Sequence, residues 1–110
     1  MTLSELTAHP EIEILQEDYE DAPISGAYTS DLLSDVMAHA EDGNVLITIQ
    51  AHNNTVAVAA LAGVSGIIIC GKRVISEDML ASARKERMPV FRTALNQFEA
   101  SCLIGSLLRG

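Results

Sequence analysis

The 110-residue chain predicts an α/β fold, a three-layer sandwich with a mostly parallel central sheet and helices on both faces. Two unbroken β-branched runs, VLITIQ at 45–50 and GIIIC at 66–70, suit strands covered on both sides. From residue 45 onward strand and helix patterns alternate strictly, which implies right-handed crossovers joining parallel strands. The length and the composition, 48% hydrophobic and 20% charged, fit one core and a single domain over 1–110.

The elements follow in order. Thr2 and Glu5 have capping-box spacing for a short helix that must end by Pro10. EIEILQ alternates as a first strand, and the acidic EDYEDAP at 17–23 has no apolar period, so it reads as a loop. ISGAYTS at 24–30 is a second strand. Ser30 or Asp31 then caps a helix with the stripe Leu32, Leu33, Val36, Met37 and Ala40, closed by EDGN. After VLITIQ, the helix NTVAVAALAG begins with capping asparagines and stops at Gly63. Its small apolar residues go nearly all the way round, so close packing on several sides is expected. After GIIIC, Ser76 caps SEDMLASARKER, whose acids stand first and bases last, matching the helix dipole. PVFRT is the last strand. In NQFEASCLIGSLL, Ala100, Leu103, Ile104, Leu107 and Leu108 recur at helical spacing.

Charge excludes several classes of function. Residues 1–42 hold 11 of the 15 acids, all seven bases lie at Lys72 or later, and the net charge is −8. General nucleic-acid binding needs clustered cations and is not expected. No apolar run reaches the roughly 18 residues that cross a bilayer, and the start lacks a cationic leader, so a cytoplasmic protein is expected. Cys70 and Cys102 have no CxxC spacing and are read as reduced, buried thiols.

In IQAHNNTVAVAA, residues 49–60, a buried strand breaks at polar residues before a helix begins. In open parallel sheets ligands sit at the carboxyl ends of strands, beside helix N-termini. Gln50, His52, Asn53 and Asn54 leave one strand there; Cys70, Gly71 and Lys72 leave a second; Arg92 and Thr93 leave a third, and Ser30 and Asp31 join from upstream. Taken singly, an asparagine here caps a helix and His52 fills a loop. As a set, with free helix amides and two cations, they fit a small anionic ligand. His39, His52 and Asp35 make a weak metal set, and no cofactor is expected. GVSG at 63–66 is neither a nucleophile elbow nor a P-loop, and no catalytic constellation is found.

SGAYTSDLLSDVMAHA, VLITIQAHNNTVAVAALAGVSGIIICGK and MPVFRTALNQFEASCLIGSLL, taken in that order, resemble the DRTGG domain family. The resemblance covers nearly the whole chain. It implies kinship with the N-terminal domain of the histidine-phosphocarrier kinase/phosphorylase, and with regulatory domains attached to phosphate acetyltransferases and CBS-containing pyrophosphatases. In those settings the domain regulates or assembles dimers and carries no P-loop. A non-enzymatic regulatory homodimer with a small anionic or nucleotide-like ligand is therefore expected. The alternative is an assembly module with no small ligand. The chain departs from the family's name-giving residues: His52-Asn53-Asn54 stands in place of an Asp-Arg pair, and Cys70-Gly71-Lys72 in place of Thr-Gly-Gly. The Ile-Thr-Ile-Gln-x-His run resembles a stand-alone subset found mostly in anaerobic bacteria, which implies a redox or hydrogenase-associated protein partner.

Overall fold

A computed structural model describes residues Met1–Gly110. Its elements are α1 (Leu3–Leu6), β1 (Glu13–Gln16), β2 (Gly26–Thr29), α2 (Leu33–His39), β3 (Asn44–Thr48), α3 (Asn53–Ala62), β4 (Gly66–Ile69), α4 (Glu77–Glu86), β5 (Val90–Arg92) and α5 (Gln97–Arg109). The five strands form one sheet in the order β1-β5-β4-β3-β2. β2 to β5 run parallel, and β1 pairs antiparallel with β5. The predicted sandwich is the observed one, and no helix is long and apolar enough to cross a membrane.

The period of two along each strand divides the core into two slabs. Val45, Ile47, Ile68, Cys70 and Phe91 point to one face, where Leu3 and Leu6 of α1 and Ala100 and Ile104 of α5 cover them. Leu46, Ile67, Ile69 and Val90 point to the other, against Val36 of α2, Val56 and Ala59 of α3, and Met79 and Ala83 of α4. Every residue of β3 and β4 is buried, which is why their sequences show no polar alternation. Each such Ile or Leu contributes about 1.5–3 kcal/mol on burial, so the fold is held mainly by these two strands.

Polar groups inside the fold are paired. Gln16, almost fully buried, donates from Nε2 to the carbonyls of Asp18 (3.0 Å) and Met88 (3.1 Å), while its Oε1 accepts from the Asp18 amide at 2.7 Å. The cap of α4 forms as expected, Ser76 Oγ accepting from Met79 N at 3.1 Å. α5 has a full capping box between Asn96 and Glu99.

Other local expectations are overturned by longer-range bonds. Thr2 makes no side-chain cap. Asp21, brought back by the acidic loop, accepts from the Ser4 amide at 3.0 Å and the Ser4 hydroxyl at 2.6 Å instead. The Ser4 hydroxyl, more than the amides, holds the Asp21 carboxyl below its ordinary range. Neither Ser30 nor Asp31 caps α2, whose N-cap is Leu32 with no side-chain bond. Asn53 and Asn54 are the first helical residues of α3, and the N-cap is His52, again without a side-chain bond. α3 does pack on several sides, against α2, α4 and the sheet, with Thr55, Val56 and Ala59 buried, but its apolar residues do not all find cover: Ala57, Ala60 and Leu61 are exposed. Leu32 and Met37 of the predicted α2 stripe are exposed too, as is Cys102. Helix periodicity locates a face; whether a neighbour covers it depends on which strands lie beneath, and β2 at the sheet edge supplies little cover.

Candidate functional site

The polar residues at the carboxyl edge of the sheet separate into a hydrogen-bonded hub, an open concavity and three outlying groups. The hub is Asp31. Its Oδ1 accepts from Thr48 Oγ1 at 3.0 Å, Ile49 N at 2.9 Å and Gln97 Nε2 at 2.9 Å. One carboxylate oxygen thereby ties the end of β2 to the end of β3 and the start of α5. Ile49 has left the strand ladder, so its amide needs a partner, and Asp31 supplies it. The Asp31 carbonyl accepts from Gln50 Nε2 at 2.8 Å.

That bond orients the Gln50 amide and so assigns the ring of His52. Gln50 Oε1 lies 3.0 Å from His52 Nε2 and can only accept. The Nε2 atom therefore carries the proton, which leaves Nδ1 as the acceptor of the neutral ring. Thr55 Oγ1 donates to the Gln50 carbonyl at 2.8 Å and secures the same loop to α3.

His52, Asn53 and Asn54 meet Ser76 and Asp78 around an open concavity of about 320 Å³ between the starts of α3 and α4. Ser76 and Asp78 read in the sequence only as a cap and a dipole match. Nothing local signals their approach to residue 52, because it follows from α3 and α4 lying side by side above neighbouring parallel strands. Gln97 and Thr48 were likewise missed, since their tie to Asp31 spans three elements.

The remaining candidates lie apart. Cys70 is fully buried in the slab beneath α5, and burial, with a smaller contribution from the Asp31 charge, pushes its thiol up to about 11. Gly71 and Lys72 are exposed and adopt consecutive left-handed conformations, φ 77° and 53°. Their amides are taken by the carbonyls of Leu95 (2.8 Å) and Thr93 (2.9 Å). Thr93 is buried. The Arg92 guanidinium is committed to Glu13 Oε1 of β1, at 3.1 Å from Nε and 3.0 Å from Nη2. His39 also faces elsewhere: its Nδ1 lies 3.0 Å from Asp35 Oδ1, while Tyr28 donates to Asp35 Oδ2 at 2.7 Å. The Tyr28 hydroxyl is the main cause holding the Asp35 carboxyl below its ordinary range. Asp35 and His39 therefore pair with each other while His52 is held by Gln50, so the three do not converge on one point.

Residues 25–107 match the DRTGG domain. Among solved structures, the CBS and DRTGG domains of the regulatory region of Clostridium perfringens pyrophosphatase, complexed with its activator diadenosine tetraphosphate, superpose with a TM-score of 0.74 at 20% identity. The similarity covers 93% of this chain and 45% of that one, so this chain spans less than half of the pyrophosphatase region. At that identity the likeness is one of fold. No curated protein matches. Because the family match extends over well more than half of its length, the chain belongs to the DRTGG domain family.

Proposed function

We propose that the protein is a non-catalytic regulatory domain that binds a small nucleotide-like ligand between the starts of α3 and α4 and self-associates. The observation carrying this reading is the composition of the concavity, which has five polar lining residues and no hydrophobic one. Two carboxamides offer both donors and acceptors, Asp78 offers acceptors, and each helix start presents amides the helix leaves free. Phosphate oxygens suit those amides, while ribose hydroxyls or a base amine suit Asp78 and the asparagines. Inorganic phosphate alone would meet Asp78 at like charge, and Arg92 is already paired, so a ligand of mixed character is favoured over a bare anion. The nucleotide bound to the pyrophosphatase regulatory region supports the same class. The burial of Cys70, the strand-end nucleophile, supports the absence of covalent catalysis.

A ligand acts here by favouring one arrangement of the loop at 49–54, which Asp31 and Gln50 tether to β2 and α5; it must bind two arrangements unequally. The test is a thermal-shift titration with diadenosine tetraphosphate, ATP and AMP. At 100 times its dissociation constant a ligand stabilises by about 2.7 kcal/mol. His52→Ala and Asn54→Ala should abolish the shift, and Arg92→Ala should retain it. Absence of any shift, or a shift indifferent to both site variants, overturns the ligand reading. The second reading, an assembly module without a small ligand, is favoured by the exposed side chains of Leu32 and Phe98.

A further inference from the structure

The two edges of the sheet are protected differently. β1 carries Glu13, is flanked by Glu11 and Glu17, and has a register shift between Ile14 and Gln16. Charges and bulges are what keep an edge strand from pairing with another chain. β2 has neither: from Ile24 to Ser30 there is no charge and no proline, and its ladder with β3 is regular. The N-terminal segment reaches this edge only at its beginning, through a bridge between Thr2 and Pro23 and a bond from Ile24 N to Met1 O of 2.8 Å. Beyond that, β3 is the only strand paired with β2. In a parallel ladder alternate residues bond to the neighbour. The bond from Ser30 N to Ile47 O sets the phase, so the backbone groups of Ala27 and Thr29 face outward, and both residues are exposed.

Apolar side chains rim this edge. Leu32, entering α2, is 65% exposed, and Phe98, in the first turn of α5, is 76% exposed. The bond between Asp31 and Gln97 brings their chain segments together. One turn further along α5, Ser101 lies 2.7 Å from Thr29 between hydroxyl oxygens, so this flank of the helix runs along β2.

We propose that the outer edge of β2 is where a second copy of this chain docks, β2 against β2 and antiparallel, to make one continuous ten-stranded sheet. The inference rests on the self-association reading and names its surface. Charge selects the occupant: at −8 per chain, two copies repel over most of their surfaces, and the uncharged edge lets identical surfaces meet without like charges opposite one another. Antiparallel pairing about a two-fold axis is self-complementary, because each outward donor finds the same strand's acceptors in the partner. A four-residue strand is a small contact by itself. Leu32 and Phe98 extend it toward the roughly 1,200–2,000 Å² of total surface buried in stable interfaces.

Sedimentation velocity combined with hydrogen exchange tests this directly. The wild type should sediment at twice the 11.8 kDa chain mass, with the Ala27 and Thr29 amides exchanging more slowly as concentration rises. Ala27→Pro removes an outward donor and no bond to β3, and Phe98→Asp places a charge on the rim. Each should weaken the dimer by about tenfold or more with an unchanged circular dichroism spectrum. Leu61→Arg, on the exposed side of α3, should leave the mass unchanged. Should Ala27→Pro not fold, Phe98→Asp decides alone. A monomeric wild type, a dimer indifferent to both edge variants, or one dissociated by Leu61→Arg alone overturns the proposal. A monomer that still binds nucleotide refutes self-association and leaves the ligand site standing; a dimer that binds none does the reverse.

Discussion

Replacing Asp31 with alanine removes three donors' partner at once, and the cost can be worked from the contacts. Thr48 Oγ1, Ile49 N and Gln97 Nε2 all point at a single oxygen, 2.9–3.0 Å away. Hydrogen bonds to a charged group contribute about 1.5–3 kcal/mol each where water is excluded. Asp31 is half-buried, so Gln97 recovers most of its loss from solvent, while the Ile49 amide and the fully buried Thr48 do not. The sum is about 3 kcal/mol, which for a domain of this size lowers Tm by about 12 °C or more. Asp31→Asn keeps an acceptor oxygen in place and should lose about 1 kcal/mol. Differential scanning calorimetry of the two variants checks both values. If Asp31→Ala melts within about 3 °C of wild type, the hub does not hold the strand ends together and the argument built on it fails.

Ala59→Arg forces a long charged side chain into the slab between α3 and the sheet, so it should abolish folding outright; a folded, soluble variant would refute the packing described for α3. Leu61→Arg, two residues on, should change stability by no more than about 0.5 kcal/mol in urea titration. An aromatic disulfide reagent should modify Cys102 rapidly in the native protein and Cys70 only after denaturation, and fast reaction of both thiols would contradict the burial of Cys70. The carboxyl of Asp35 is depressed in the folded state, so its stabilising contribution is present above the ordinary carboxylate range and is lost as pH falls through the depressed value. Tyr28→Phe should raise the Asp35 midpoint followed by NMR, and an unmoved midpoint would remove the hydroxyl as its cause.

The fold was legible because its evidence is repeated along the chain. β3 and β4 are apolar throughout, Gly63 ends α3 in a left-handed turn at φ 77°, and Ser76 and Asn96 cap helices by contacts three residues away. Such signals need no knowledge of distant partners. Asp31 shows where that reasoning stops. By position it looks like a cap for α2, but its side chain serves β3 and α5, whose approach is created by the fold itself. Arg92 fails in the same way: it leaves β5 at the expected edge, yet the antiparallel β1 strand places Glu13 directly across from it. The break at 50–54 was correctly located as a strand-to-helix turn, whereas Ser76 and Asp78 could join it only once α3 and α4 were set side by side.

Strand order also imposes an order in time. β2, β3 and β4 each pair with the strand next in sequence, but β1 must wait for β5, with Glu13 opposite Arg92. That pairing closes the longest loop in the sheet, and its entropy can be repaid only after the parallel strands exist to receive it. Its ladder is short and interrupted between Ile14 and Gln16. β1 is thus expected to pair last during folding, and its detachment in a fluctuation would free the β5 edge.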